Sequence, residues 1–168
     1  MTICPDCGHN NLEGTDVCER CQTPLCSLPD QRPTSAMERS VMTDRIEALA
    51  PREPLVVAPA TPVGEVLERM VERSVGCVVV VQEHQVAGIF TERDVLVQLN
   101  AETARLRGRP VSEFMTRSVE TLELDDRVAF ALHKMDLGGY RHLPILAEGR
   151  VTGVISVRDI LDHITRAL

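Results

Sequence analysis

Four cysteines near the N-terminus carry the plainest chemistry in this chain. Cys4 and Cys7 form one C-x2-C pair and Cys18 and Cys21 a second, with ten residues between the pairs. Four thiolates at that spacing close a tetrahedral zinc site, because each short turn presents two sulfurs on one side. A closed set leaves no open coordination position, so the zinc is read as structural and not catalytic. Residues 1–26 hold few apolar side chains and need the metal to fold. A redox pair would require a β-α-β setting that this segment lacks, and a disulfide framework suits secreted chains. Of the two other cysteines, Cys77 reads as a small buried hydrophobe, and Cys26 has no assigned role.

A second kind of chemistry appears twice. Gly88-Ile89-Phe90-Thr91-Glu92-Arg93-Asp94 recurs as Gly153-Val154-Ile155-Ser156-Val157-Arg158-Asp159, offset by 65 positions throughout. In Thr91-x-x-Asp94 and Ser156-x-x-Asp159 a hydroxyl stands where a strand ends and a helix begins. By itself such a phrase is a helix cap with an acid in the first turn. The same atoms can also serve a nucleotide. Helix N–H groups and the helix dipole attract phosphate, the hydroxyl can donate to a phosphate oxygen, and the carboxylate can accept from both ribose hydroxyls. Gly88 and Gly153 would let a ligand approach the backbone closely.

The elements that must position these phrases repeat as well. Val63, Leu67, Met70, Glu83 and Val86 fall on Val128, Leu132, Met135, Glu148 and Val151 without a gap. Such self-similarity marks one structural unit built twice. Each copy opens with a short extended stretch, Leu55 to Val57 and then Val119 to Thr121. An amphipathic helix follows, over roughly 62–73 and 126–137. Cys77 to Val81 is β-branched and apolar, as a central buried strand should be. Gln82 to Gln85 turn the chain into Val86 to Phe90; His142 to Leu146, a Glu148-Gly149 turn and Val151 to Ile155 repeat the pattern. Helices over about 92–100 and 157–166 close the copies. The expected fold class is α/β (α+β), two β-α-β-β-α repeats packed as a pseudo-twofold pair, plus a small N-terminal zinc ribbon. The expected domains are 1–26 ribbon, 27–43 flexible linker, 44–105 first repeat and 106–168 second repeat.

These motifs, together with Gly139-Tyr140-Arg141-His142-Leu143-Pro144-Ile145, resemble a tandem pair of CBS domains, the Bateman module. The resemblance covers about residues 44–168. It implies a disk-shaped pseudo-dimer, frequent association into homodimers, and adenosyl ligands (AMP, ADP, ATP or S-adenosylmethionine) bound between the repeats. Carried over by motif, the nucleotide-binding residues would be Thr91, Asp94, Ser156 and Asp159, with Arg141, His142 and Pro144 framing the base. The first copy departs from the pattern, with Gly76-Cys77-Val78-Val79 where the second has Arg141-His142-Leu143-Pro144. Residues 1–26 resemble the short zinc ribbons of bacterial regulatory proteins. Gly8 fits that pattern, whereas Gln22 stands where a glycine often follows the second pair.

Composition narrows the function classes. A net charge of −7 disfavours nucleic acid and acidic membrane surfaces, and 2% aromatic residues without Trp disfavour base stacking. Within residues 1–26, one Arg faces four acids, the wrong balance for phosphate contacts. The longest strongly apolar run, Cys77 to Val81, is far short of a membrane span. No signal peptide is visible, so a cytoplasmic protein is expected. His9, His84, His133 and His163 read as surface or capping histidines, and Asp125-Asp126 as a helix N-cap. No nucleophile or acid–base pair stands out, so no enzyme is expected. The leading expectation is a cytoplasmic sensor whose ribbon contacts a protein partner. The alternative is a ligand-free dimerisation or adaptor scaffold.

Overall fold

A computed structural model of the chain describes residues 2–12, 15–25, 35–99 and 102–166. Cys26 and the first part of the expected linker, through residue 34, lie outside the described residues. The described residues fall into two compact units that cut across the sequence repeats. One holds the ribbon, the helices flanking the last hairpin and the helix before the first repeat; the other holds both three-stranded sheets with the first repeat's helices.

In the sheet-bearing unit the order is β3 (Val56–Val57), α2 (Val63–Arg73), β4 (Cys77–Gln82), β5 (Gln85–Thr91), α3 (Glu92–Asp94), a π-wound turn (Val95–Leu99), α4 (Thr103–Leu106), β6 (Leu122–Glu123), β7 (His142–Ala147) and β8 (Arg150–Ser156). Each sheet places its most apolar strand in the middle, in the orders β3-β4-β5 and β6-β7-β8. The outer pairing is parallel to β3 or β6 and antiparallel to β5 or β8. Register repeats with the sequence. Cys77 lies opposite Thr91 and Val80 opposite Gly88, while His142 lies opposite Ser156 and Ile145 opposite Gly153. Even the bulge recurs, after Val80 and after Ile145.

Both hairpins turn through two residues in the left-handed region, Glu83-His84 and Glu148-Gly149, which matches the twist of the strands. The first turn is thus tighter than the four polar residues suggest. Val63, Val66, Val78, Val80, Phe90, Leu99 and Val111 are fully buried in one cluster. The Val63 and Gly64 amides of α2 donate to Arg109 and Arg107 carbonyls (2.8 and 3.0 Å), so backbone replaces the missing side-chain cap.

Two pairings cross between the repeats. Arg52 and Val154 exchange both backbone hydrogen bonds (3.1 and 3.0 Å), and Thr116 and Ile89 do the same at 2.9 Å. The segment before the first strand of each repeat thereby adds to the last strand of the other. The two crossings sit one residue apart in repeat register. In the Arg52 ladder the next hydrogen-bonded pair would need an N–H from Pro54, which has none, so the pairing stops there.

In the other unit, α1 (Ala36–Thr43), a 3₁₀ turn (Ile46–Leu49), α5 (Val128–Gly138) and α6 (Val157–Arg166) accompany β1 (Thr2–Ile3) and β2 (Asn10–Asn11). α1 occupies residues expected to be flexible linker. Ser35 and Glu38 close a capping box at its start, a signal local to the sequence. A second correction concerns Asp125-Asp126. The N-cap of α5 is Arg127, with no side-chain cap, and the Val128 amide donates to the Asp44 carbonyl at 2.9 Å. Chain from before the first repeat supplies what a local acid was expected to supply.

Candidate functional site

The four ribbon cysteines converge. Cys4 and Cys18 are buried, Cys7 and Cys21 half-buried, and all four sulfurs lie within 4.8 Å of one another. A tetrahedron with bonds of about 2.3 Å has edges of about 3.8 Å, so the cage fits a zinc-sized ion. Two matching turns build it. The Gly8 amide donates to the Cys4 carbonyl (3.0 Å) and the Gln22 amide to the Cys18 carbonyl (2.9 Å). Both turn residues are left-handed, Gly8 at φ 67° and Gln22 at φ 63°, so Gln22 takes the backbone shape that a glycine would. Asn11, 2% exposed, ties the two turns: its Oδ1 accepts from Glu19 N–H (3.0 Å) and its Nδ2 donates to His9 O (2.9 Å).

Four thiols this close cannot ionise alike without a cation. Burial pushes the Cys18 thiol up, but the Cys21 and Arg20 amides and neighbouring thiols outweigh it and bring it down to about 6. The Thr23 hydroxyl and amide lower Cys21. Burial raises Cys4, and at Cys7 burial and the other thiols overcome the His9 amide and push it up to about 12. Two thiols pulled down beside two pushed up form an electrostatic imbalance that a divalent ion relieves.

At the first strand-to-helix junction, Thr91 ends β5 and Asp94 ends the α-wound turn. Asp94 Oδ2 accepts from the Thr91 amide (2.8 Å) and the Thr91 hydroxyl (2.7 Å), and the Asp94 amide donates to Thr91 Oγ1 (3.4 Å). The cap foreseen in the sequence is therefore closed. Gln98, part of no motif in the sequence, donates from Nε2 to Asp94 Oδ1 (3.1 Å) and to Phe114 O (2.7 Å).

At the second junction Ser156 ends β8 and Asp159 lies in the first turn of α6, a ten-residue helix. Of the residues carried over to frame a base, Arg141 is exposed, His142 half-buried and Pro144 buried in the central strand. The His142 ring leans on Gly76, where a Cβ would meet Nε2 at 3.0 Å and Glu92 Oε2 at 3.3 Å. Gly76 thus accommodates the histidine of the other copy.

The role expected for Gly88 and Gly153 needs correcting. The close approach they allow is made by the chain itself. A Cβ on Gly88 would lie 2.4 Å from Met115 Sδ and 2.9 Å from Thr116 O, and one on Gly153 would lie 2.8 Å from Pro51 Cβ. His163 also departs from expectation, joining a half-buried cluster between α1 and α6. Its Nε2 is 2.8 Å from Ser40 Oγ and 2.9 Å from Asp44 Oδ2, and Ser40 donates to the same Asp44 oxygen at 2.5 Å. A cavity of about 640 Å³ between Glu53–Val56, α2 and the start of β8 contains none of the carried-over residues; Arg69, Arg73, Glu53 and Glu72 line it.

Two three-stranded sheets in matching register, each ending in a hydroxyl-x-x-Asp junction, define a duplicated α/β module. Two matches to the CBS domain family model, over residues 39–101 and 111–166, show that the chain belongs to that family. It is similar to the "uncharacterized 17.7 kDa protein in bps2 3' region" of Acidianus ambivalens, at 34% identity over 71% of this chain and 72% of that protein. Its fold matches the crystal structure of the CBS-domain containing protein ATU1752 from Agrobacterium tumefaciens (TM-score 0.65, 28% identity, 71% of this chain and 98% of that one). It also matches CBS domain protein PAE2072 from Pyrobaculum aerophilum, complexed with AMP (TM-score 0.61, 25% identity, 73% and 99%). No helix among the described residues is long and apolar enough to cross a membrane.

Proposed function

We propose that the chain is a cytoplasmic regulatory module that binds an adenosyl nucleotide at its CBS repeats and passes the signal through a zinc ribbon. The observation that carries the reading is the duplicated hydroxyl-x-x-Asp junction in a CBS pair. The AMP complex of the Pyrobaculum protein supports the ligand class. In this reading Ser156 and Asp159 supply the hydroxyl and carboxylate that a 5′-phosphate and a ribose diol require, and the carried-over Arg141, His142 and Pro144 frame the base. Thr91 and Asp94 are their first-repeat counterparts. Cys4, Cys7, Cys18 and Cys21 hold a structural zinc. The ribbon meets a protein partner, and apolar side chains exposed on the helices, Val71 at 79% and Leu137 at 74%, suit a homodimer.

Titration calorimetry of the zinc-loaded chain with AMP, ADP, ATP and S-adenosylmethionine tests the ligand. Saturable binding of one of them is expected, and no binding by any, in folded protein, refutes it. Light scattering of the same sample should give twice the 18.6 kDa chain mass; a monomer at micromolar concentration refutes the dimer.

A further inference from the structure

On its outer side the second repeat's helix α5 is not a copy of α2. In α2, Glu65, Glu68 and Glu72 stand three and four residues apart, so they form one stripe, and all three are exposed. At the 65-residue offset the same stripe of α5 carries Phe130, His133 and Leu137. Three carboxylates, which keep a helix face in water, are replaced by two large apolar side chains around an imidazole. Phe130 and His133 are half-buried where Glu65 and Glu68 are exposed, and Leu137 at the far end is 74% exposed. A stripe of this composition is suited to contact.

The ribbon reaches that stripe. His133 Nε2 lies 3.9 Å from Asp6 Oδ1, and both residues belong to the same compact unit. Asp6 sits in the first cysteine turn, between Cys4 and Cys7. Its other oxygen accepts from the Thr23 hydroxyl at 2.9 Å, and Thr23 Oγ1 lies 3.1 Å from Cys21 Sγ in the second turn. Both turns therefore aim the carboxylate at α5, and a metal that holds the four sulfurs holds that aim. Charge selects the same helix. Residues 1–26 carry four acids and one Arg, so the glutamate stripe of α2 would repel them, whereas α5 has no acid at any of the three positions.

We infer that the ribbon docks on its own chain, on the Phe130–His133–Leu137 stripe of α5 with Asp6 against His133, and that the metal holds it there. This rests on the zinc reading above and names α5 as the ribbon's partner. Hydrogen–deuterium exchange of the full zinc-loaded chain tests it, with the zinc content of every sample measured. His133→Glu puts the α2 residue at that place. It should make the amides of α5 and of the first cysteine turn exchange about two- to fivefold faster, the effect of one exposed charge pair, and leave α2 unchanged. Adding Asp6→Lys to His133→Glu reverses the pair and should restore the protection. Unchanged exchange in His133→Glu, or no recovery in the double variant at full zinc occupancy, overturns the docking and leaves the zinc site intact. Protection of α5 that grows with chain concentration assigns the stripe to a second copy and overturns it too. Equal protection of α5 after zinc removal overturns the metal's part, and a chain that takes up no zinc overturns the zinc reading itself.

Discussion

Removing the metal should unfold the ribbon, and the size of the effect follows from what the ribbon buries. Its buried cluster contains a single aliphatic side chain, Leu25, alongside Cys4 and Cys18. Burying one leucine stabilises by about 2 kcal/mol. The hydrogen bonds within residues 2–25, on the order of ten, add about 10 kcal/mol at about 1 each. Ordering the 22 described residues of 2–12 and 15–25 costs at least about 20 kcal/mol of backbone entropy. The shortfall, about 10 kcal/mol, matches what zinc contributes in comparable four-ligand sites, about 10–16 kcal/mol. A strong chelator, with zinc loss verified by elemental analysis, should therefore expose all four thiols to maleimide and open the bond after Arg20 to trypsin. Cys77 provides an internal control: it is 4% exposed and burial, with Glu92, pushes its thiol up to about 12, so it should stay unlabelled in both states. A metal-free chain whose four thiols stay protected would refute the reasoning.

Two further predictions follow from contacts. Gly88→Ala and Gly153→Ala each force a methyl against neighbours closer than 3 Å, and should cost about 1–3 kcal/mol, or several degrees of melting temperature. Gly108→Ala meets nothing within 4 Å at an ordinary φ, and should leave the melting temperature within about 1–2 °C of the parent; equal effects at all three positions would contradict this account. At Asp44 the Ser40 hydroxyl, helped by His163 and opposed by burial, holds the carboxyl below its usual range. A depressed carboxylate stabilises the fold above its unfolded pKa of about 3.9, and that contribution is lost as pH falls through the lower folded value. Asp44→Asn should thus melt earlier than the parent at pH 7 and together with it near pH 2; a gap that persists in acid would mean that the pairing is not what Asp44 contributes.

The repeat was legible because it is written in local terms. An apolar β-branched run calls for a central strand, spacing of three and four calls for a helix, and the same 65-residue offset that aligns the sequence reappears in strand register and in both bulges. The four cysteines were legible for a similar reason, since two short turns fix two sulfurs each. Gln22 shows the limit even there: its left-handed backbone goes with the hydrogen bond its N–H donates to the Cys18 carbonyl, not with its residue type.

What sequence reading missed depends on partners distant in the chain. Asp125-Asp126 offers a plausible cap, but the Asp44 carbonyl arrives first because the chain before the first repeat folds onto α5. Glycines placed for a close approach said nothing of what approaches, and Met115 and Pro51 fill the space. By itself the sequence determined the repeated unit, its strands and helices, the metal-ligand set and the two polar junctions, because each is fixed by residues within a turn or two of one another. Tertiary structure alone decided which distant groups meet those residues. Gln98 held between Asp94 and Phe114, like His163 held by Ser40 and Asp44, is set by packing that no local pattern encodes.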